Sequence, residues 1–183
     1  MRRTVIHIYG ASGSGTTTLG RCISERLGYT FMDTDDYFWL PTDPRYTQKR
    51  EAAERIALME RDIQASDRAV ISGSLVDWGD ALIPYFTLAV RVITDQRLRI
   101  ERLKAREKRA FGSRIEKGGD MYEGHREFLE WAAGYDTGGL TTRSKAKHDE
   151  WQKLLTCRQI TVNGEASPES NLTLVEAALS ANR

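Results

Sequence analysis

Apolar positions along the chain follow two rhythms that take turns. "TVIHIYG" (Thr4–Gly10) is a short, nearly continuous apolar run closed by glycine. That is the pattern of a strand buried on both faces of a parallel sheet. "TTTLGRCISERLG" follows, placing Leu19, Cys22, Ile23 and Leu27 on one helical face and ending at Gly28, a residue suited to stopping a helix. "YTFMD" (29–33), "RAVISGS" (68–74), "LAVRVIT" (88–94) and "RQITV" (158–162) read as further strands. The spacing predicts a helix over 48–64, with Ala53, Ile56, Met59 and Ile63 toward the core, and a strongly charged one over about 96–110. "SPESNLTLVEAAL" reads as a last helix, with a serine cap and proline in its first turn. The stretch 111–155 is helical in places and rich in glycine.

Strands alternating with helices predict an α/β fold: a five-stranded parallel sheet with right-handed crossovers and helices layered on both faces. Ligands in such folds sit at the carboxyl ends of the strands. Three chemically suggestive stretches fall there: 10–18, 33–39 and 73–80. Two longer excursions, about 36–67 and 111–155, are expected to cover that edge as mobile lobes.

The first stretch, "YGASGSGTTTLG", nearly matches the phosphate-binding pattern G-x-x-x-x-G-K-[ST]. Gly10 and Gly15 have the required spacing and Thr17 fills the last slot, but the lysine slot holds Thr16. A strand before and a helix after supply the context the motif needs. Glycines here let successive N–H groups turn inward at phosphates, and the helix starting near Thr16 adds its positive end. Gly10, Ser12, Gly13, Ser14, Gly15, Thr16, Thr17 and Thr18 are therefore the expected ATP-binding residues. The Thr17 hydroxyl is the expected ligand for Mg²⁺. The missing lysine leaves the backbone cradle intact and removes one mobile charge.

In "FMDTDDYFW", Asp33 and Asp35 lie at the end of a strand. One carboxylate there suits a magnesium-bound water, the other the proton of an acceptor hydroxyl. Asp36 is a possible substitute, and a turn or N-cap cluster is the plainer alternative. The aromatics Tyr37, Phe38, Trp39 and Tyr46 read better as the core of a small lobe than as a base-stacking platform. Arg45, Lys49 and Arg50 form a basic knot, either a clamp for an acceptor phosphate or a solvated helix start. Arg99, Arg102, Arg106 and Arg109 recur at intervals of three, four and three, so they share a helical face. That helix leads into the glycine-rich excursion as a hinge leads into a lid, where arginines are placed to neutralise a transferring phosphoryl group. Gly73 suggests close backbone approach to a ligand and Asp77 and Asp80 reach toward an acceptor, with a capped turn as the equal alternative. His7, inside a strand, reads as a hydrogen-bonded core residue, and His125 and His148 are too scattered for a metal pair.

Composition adds exclusions. The chain has 183 residues, 40% hydrophobic and 29% charged, with a net charge of +1. This describes one globular domain with no electrostatic bias toward nucleic acid or membrane. Cys22 and Cys157 match no metal spacing and read as reduced thiols. The basic "MRR" start precedes an apolar run that ends at Gly10, too short for a signal peptide or a spanning helix. A cytoplasmic protein with no obligate protein partner is expected.

Taken in order, these segments resemble the nucleoside-monophosphate-kinase-like branch of P-loop kinases, which includes adenylate, cytidylate, shikimate and gluconate kinases. The resemblance spans nearly the whole chain. It implies one kinase domain over 1–183, with an acceptor-binding lobe at about 36–67 and a lid at about 111–155. "MDTDDYFW" looks like the shikimate-kinase acidic pair, giving Asp33 and Asp35 the metal and acceptor roles. Arg106 and Arg109 match the arginines that begin the lid. "VNGEASPE" looks like the adenine-side loop, with Gly164 and Ser167 near the base. The lysine-less loop is similar to that of phosphoribulokinase-like enzymes, GSSGAGT. The implied activity is ATP- and magnesium-dependent phosphoryl transfer. A nucleotide or nucleoside monophosphate is the expected acceptor, bound by Asp36, Arg45, Arg50, Gly73 and Asp77. A hydroxylated metabolite is the alternative acceptor. A non-catalytic nucleotide-binding module and a slow hydrolase are the alternatives in kind.

Overall fold

A computed structural model describes residues 3–181; Met1 and Arg2 of the basic start lie outside the described residues. Five strands form one all-parallel sheet in the order β2-β3-β1-β4-β5: β1 Thr4–Gly10, β2 Thr30–Asp33, β3 Arg68–Ser72, β4 Leu88–Ile93 and β5 Arg158–Asn163. Alternation within β1 explains the three layers, because successive side chains leave opposite faces of a strand. Val5 and Tyr9 join Met59, Ile63, Leu82 and Trp151 on one face. Ile6 and Ile8 join Leu19, Ile23, Leu172 and Val175 on the other. The second face is covered by α1 (Thr16–Leu27) and by the last helix, Pro168–Ser180.

Between β2 and β3 lie α2 (Thr34–Phe38) and α3 (Ala52–Gln64), and α4 (Gln96–Phe111) follows β4. Beyond it, α5 (Tyr122–Ala133) and α6 (Lys145–Trp151) lead to β5, and Pro168–Ser180 is α7. No helix among the described residues is long and apolar enough to cross a membrane. Cys22 and Cys157 are both free thiols.

Three local expectations are corrected. The helix expected over 48–64 starts only at Ala52, because the preceding residues pair across a hairpin. Trp39 and Lys49 form an antiparallel bridge, Leu40 N–H donates to the Gln48 carbonyl (2.9 Å), and Arg50 N–H donates to the Phe38 carbonyl (2.8 Å). β3 stops at Ser72, where Gly73 turns the chain with φ 119°. His7 is fully buried but lacks a well-aligned hydrogen-bond partner, the Ile71 backbone offering a marginal one. It stacks between Tyr9 and Phe86, with ring centroids 5.4 and 4.9 Å away, and burial pushes its pKa down to about 3.

Candidate active site

The turn from β1 into α1 is built from backbone. Gly13 (φ 79°) and Gly15 (φ 104°) are left-handed, a conformation that costs glycine least. Ser14 N–H donates to the Ala11 carbonyl (3.1 Å) and Leu19 N–H to that of Gly15 (3.0 Å), closing the turn and opening the helix. The outside of the turn is packed tightly. A Cβ on Gly10 would lie 2.5 Å from the Val92 carbonyl oxygen, and one on Gly13 2.6 Å from that of Arg99. The inside is open: a Cβ on Gly15 would meet only Arg102 Nη1, at 3.8 Å. The Ser14 hydroxyl is buried without a partner, 2.7 Å from where a Cβ on Gly10 would lie. A tight outer wall, an open inner face and an orphaned hydroxyl fit a phosphate cradle. Thr16, Thr17 and Thr18 follow in the first turn of α1.

Thr94 Oγ1 donates to the Ser14 carbonyl (2.9 Å), and Gly164 packs where a Cβ would lie 2.2 Å from that same oxygen. The turn after β5 is thus closed against the loop. Ser167 stands exposed and accepts from Ser170 N–H as the cap of α7.

The carboxyl end of β2, two strands from β1 on the same edge of the sheet as the loop, places Asp33 and Asp35. Asp33 Oδ1 accepts from Asp35 N–H (3.1 Å), so Asp33 is the N-cap of the short helix α2. Burial, reinforced by the nearby Asp35 charge, raises the Asp33 carboxyl to about 6. Asp35 faces a cavity of about 420 Å³ lined also by Asp36, Trp39, Arg45, Tyr46 and Arg50. Although open to that cavity, its carboxyl is raised by the surrounding protein, while Arg143 and, after it, Arg106 pull it down.

The basic knot is largely occupied. Arg50 Nε donates to the Tyr37 carbonyl (3.1 Å) and Nη1 pairs with Glu54 (2.6 Å). Arg45 lies over the Tyr46 ring. Arg55, which pattern reading passed over as a helical polar residue, is 8% exposed. Its guanidinium lies 3.9 Å from the Phe38 ring centroid and 5.7 Å from that of Trp78, and Nε donates to the Arg50 carbonyl (2.6 Å). No carboxylate among the described residues forms an ion pair with it. Burial lowers its pKa, Glu51 opposing.

The four arginines of α4 divide. Arg99 is 1% exposed; it donates to the Thr94 and Ala132 carbonyls and pairs with Asp136, joining α4 to the chain after α5. Arg102 Nη1 donates to the Gly164 carbonyl (2.9 Å), flanking the loop. Arg106 pairs with neighbouring Glu107 (2.8 Å), its charge felt by Asp35. Arg109 is exposed, with no hydrogen bond or ion pair among the described residues. Gly73 makes a close approach, but to Thr34: a Cβ would lie 1.8 Å from its Oγ1. Asp77 pairs with Lys147 (2.6 Å), and Asp80 accepts from the Trp151 indole (2.7 Å).

The side chain that sequence reading missed is Arg143, between α5 and α6. Its Nη2 donates to Ser12 Oγ in the loop (2.6 Å), and its guanidinium lies over the Trp131 ring at 4.4 Å. It belongs to no periodic run, so only its place in the glycine-rich excursion hinted at a role.

The model of the AAA domain matches residues 6–121, from β1 to the residue before α5. The chain belongs to the AAA-domain family. A relative over nearly the whole length is the uncharacterized protein YqaC of Bacillus subtilis (strain 168), 41% identical over 97% of this chain and 98% of that one. Among solved structures, shikimate kinase from Bacteroides thetaiotaomicron superposes with a TM-score of 0.59 at 15% identity, covering 97% of this chain and 98% of that chain. Deoxyadenosine kinase from M. mycoides gives 0.53 at 13% identity, covering 98% and 100%. This AAA-domain chain therefore has the P-loop kinase fold of the nucleoside-monophosphate-kinase-like branch.

Proposed function

We propose that the protein is an ATP- and magnesium-dependent phosphotransferase whose acceptor is a hydroxyl group on a small anionic metabolite. The observation that carries this reading is Asp35, a carboxylate that lines the acceptor-side cavity and feels the charge of Arg143, which reaches the loop at Ser12. A carboxylate there repels an acceptor phosphate but suits an acceptor hydroxyl, whose proton it takes as the oxygen attacks. The acceptor oxygen forms the new O–P bond, the bond from the γ-phosphorus to the bridging oxygen breaks, and ADP leaves.

The nucleoside-monophosphate acceptor expected from sequence leaned on the basic knot, and the engagement of Arg50 with Glu54 and the Tyr37 carbonyl weakens that support. Arg55 supports an anionic acceptor instead. A nearly buried guanidinium without a carboxylate partner is costly, and it stands between α2 and the turn after β3, on the acceptor side.

The loop holds the nucleotide through its backbone N–H groups, with Gly164 and Arg102 on its flank. The Thr17 hydroxyl, in the first turn of α1, would hold a magnesium ion shared with the phosphates, leaving Asp35 to take the acceptor proton. Among the described residues no cluster of three or more His, Cys, Asp or Glu forms a cage of its own. Magnesium, when bound, neutralises phosphate charge.

The test is ADP formation with hydroxy acids, sugar acids, polyols and nucleoside monophosphates, and with no acceptor. A hydroxylated anion should stimulate it at least tenfold over the no-acceptor rate. Stimulation by monophosphates alone would replace this reading with the nucleotide-kinase one, and equal rates throughout would leave a hydrolase.

A further inference from the structure

We propose that Arg143 supplies the positive charge that the loop lacks at Thr16, and that its guanidinium contacts the transferring phosphoryl group. This rests on the phosphotransferase reading above and adds a residue that lies beyond the matched domain segment, 6–121.

A phosphoryl group in transfer needs cationic stabilisation. Backbone N–H dipoles and magnesium supply part of it, and a lysine in the loop ordinarily supplies another part. Thr16 cannot. The arginines of α4 were the sequence's candidates to replace it, but their positions do not suit. Arg102 is turned to the Gly164 carbonyl, Arg106 lies along Glu107, and Arg109 faces solvent. Arg102 Nη1 also borders the loop, 3.8 Å from the Cβ position of Gly15, but it is engaged by the Gly164 carbonyl; Arg143 is the arginine hydrogen-bonded to a loop side chain, at Ser12 Oγ, among the described residues. It also stands ahead of Arg106 among the charges that pull down the Asp35 carboxyl. One guanidinium is thus shared between the donor cradle and the acceptor base, the region a transferring group must cross.

The side chain retains unused donors. Arginine carries five N–H donors, and Arg143 Nε is buried with no partner. An unsatisfied buried donor of this kind is costly unless a ligand meets it. Burial lowers the pKa of the group, with Asp35 opposing, so the charge is held against desolvation beside the one carboxylate that rewards it.

The position is fixed before any ligand arrives. Trp131, 39% exposed, offers its ring face to the guanidinium, and its indole N–H donates to Thr142 Oγ1 (3.3 Å). Ser144, fully buried, caps α6 and donates its hydroxyl to the Gly139 carbonyl (2.8 Å). One turn on, His148 is clamped by Ser74 Oγ (3.0 Å) and the Tyr135 hydroxyl (2.7 Å). Such preorganisation is what electrostatic stabilisation of a transition state requires.

The experiment compares wild type, Arg143→Ala, Arg143→Lys and the double variant Thr16→Lys/Arg143→Ala. Calorimetric titration with ATP and with ADP is read beside turnover and thermal melting. Arg143→Ala should weaken ATP at least about tenfold and ADP less than about threefold, and lower turnover about a hundredfold. Arg143→Lys, which keeps charge but loses the planar fork, should fall between. Thr16→Lys in the alanine background should recover at least about a tenth of the lost turnover. Equal weakening of ATP and ADP, or unchanged ATP affinity in a folded Arg143→Ala, would overturn the assignment. So would an Arg143→Lys variant indistinguishable from alanine in ATP affinity. If wild type transfers phosphate to no acceptor, the functional reading fails, yet the ATP-to-ADP comparison still decides whether Arg143 meets the terminal phosphate.

Discussion

The turn between β1 and α1 and the segment between α5 and α6 meet through one hydrogen bond, Arg143 to Ser12. They are built by opposite means. The turn is made of backbone: two left-handed glycines, a helix N-terminus and a wall of packed carbonyls that leaves no room for a Cβ at Gly10, Gly13 or Gly164. It carries no charged side chain between Gly10 and Thr18. The other segment, together with α6 that follows it, is made of side chains that reach across the fold. Arg143 lies on Trp131, Lys147 pairs with Asp77, and His148 joins Ser74 to Tyr135. A cradle of N–H groups holds a phosphate in place, whereas charge that answers a changing phosphoryl group has to come from side chains.

The severest way to break this comparison is at the backbone. Gly15→Val should abolish measurable ATP binding, a loss of at least about a thousandfold, because a β-branched residue at φ 104° is strained even where space is open. Titration with ATP checks it. Affinity within about threefold of wild type would mean that the turn only connects a strand to a helix.

The next largest effect lies on the acceptor side. Asp35→Asn keeps shape and removes charge, so turnover should fall about a hundredfold while ATP affinity barely moves. Asp33→Asn sharpens the contrast between the two carboxylates. It preserves the capping oxygen that receives Asp35 N–H, and should cost much less turnover if Asp35 is the base. Reversed sensitivities would exchange the two roles.

The same contrast explains what was legible in the sequence. Local patterns register backbone features, so the loop, the five strands and α1 were readable, with ends misplaced where a glycine such as Gly73 turns the chain early. The acidic pair was visible too, because both its capping and its placement are local. Long-range side-chain partnerships leave no such trace. Arg99 shares a spacing with Arg102 and Arg106, yet points inward to Asp136, while Arg106 faces out. Periodicity puts residues on a face but does not say what covers it. Arg55 looked like a polar helix position, and Arg143 sits in "TTRSKAK", which has no period at all. Their importance comes from Phe38, Trp78, Trp131 and Ser12, each distant in sequence.

The smallest expected effect separates the two regions by pH. Each holds one buried histidine: His7 in β1, which feeds the loop, and His148 in α6, which follows Arg143. Burial lowers both to about 3 from an ordinary 6.5, with Arg143 and Arg91 adding to the shift at His148. A base whose folded pKa is lowered takes up protons more readily when unfolded. Its stabilising share is therefore complete above 6.5 and is lost progressively as pH falls toward 3. Between pH 8 and pH 6 each histidine should remove about 0.8 kcal/mol of stability. His7→Phe keeps a flat ring between Tyr9 and Phe86 and leaves α6 with its own histidine. Urea unfolding at the two pH values should then show this part of the pH-dependent loss reduced by about half. Because the comparison is a difference between pH values, any change in packing from the larger ring cancels. An unchanged loss would mean that His7 does not stay neutral in the folded protein.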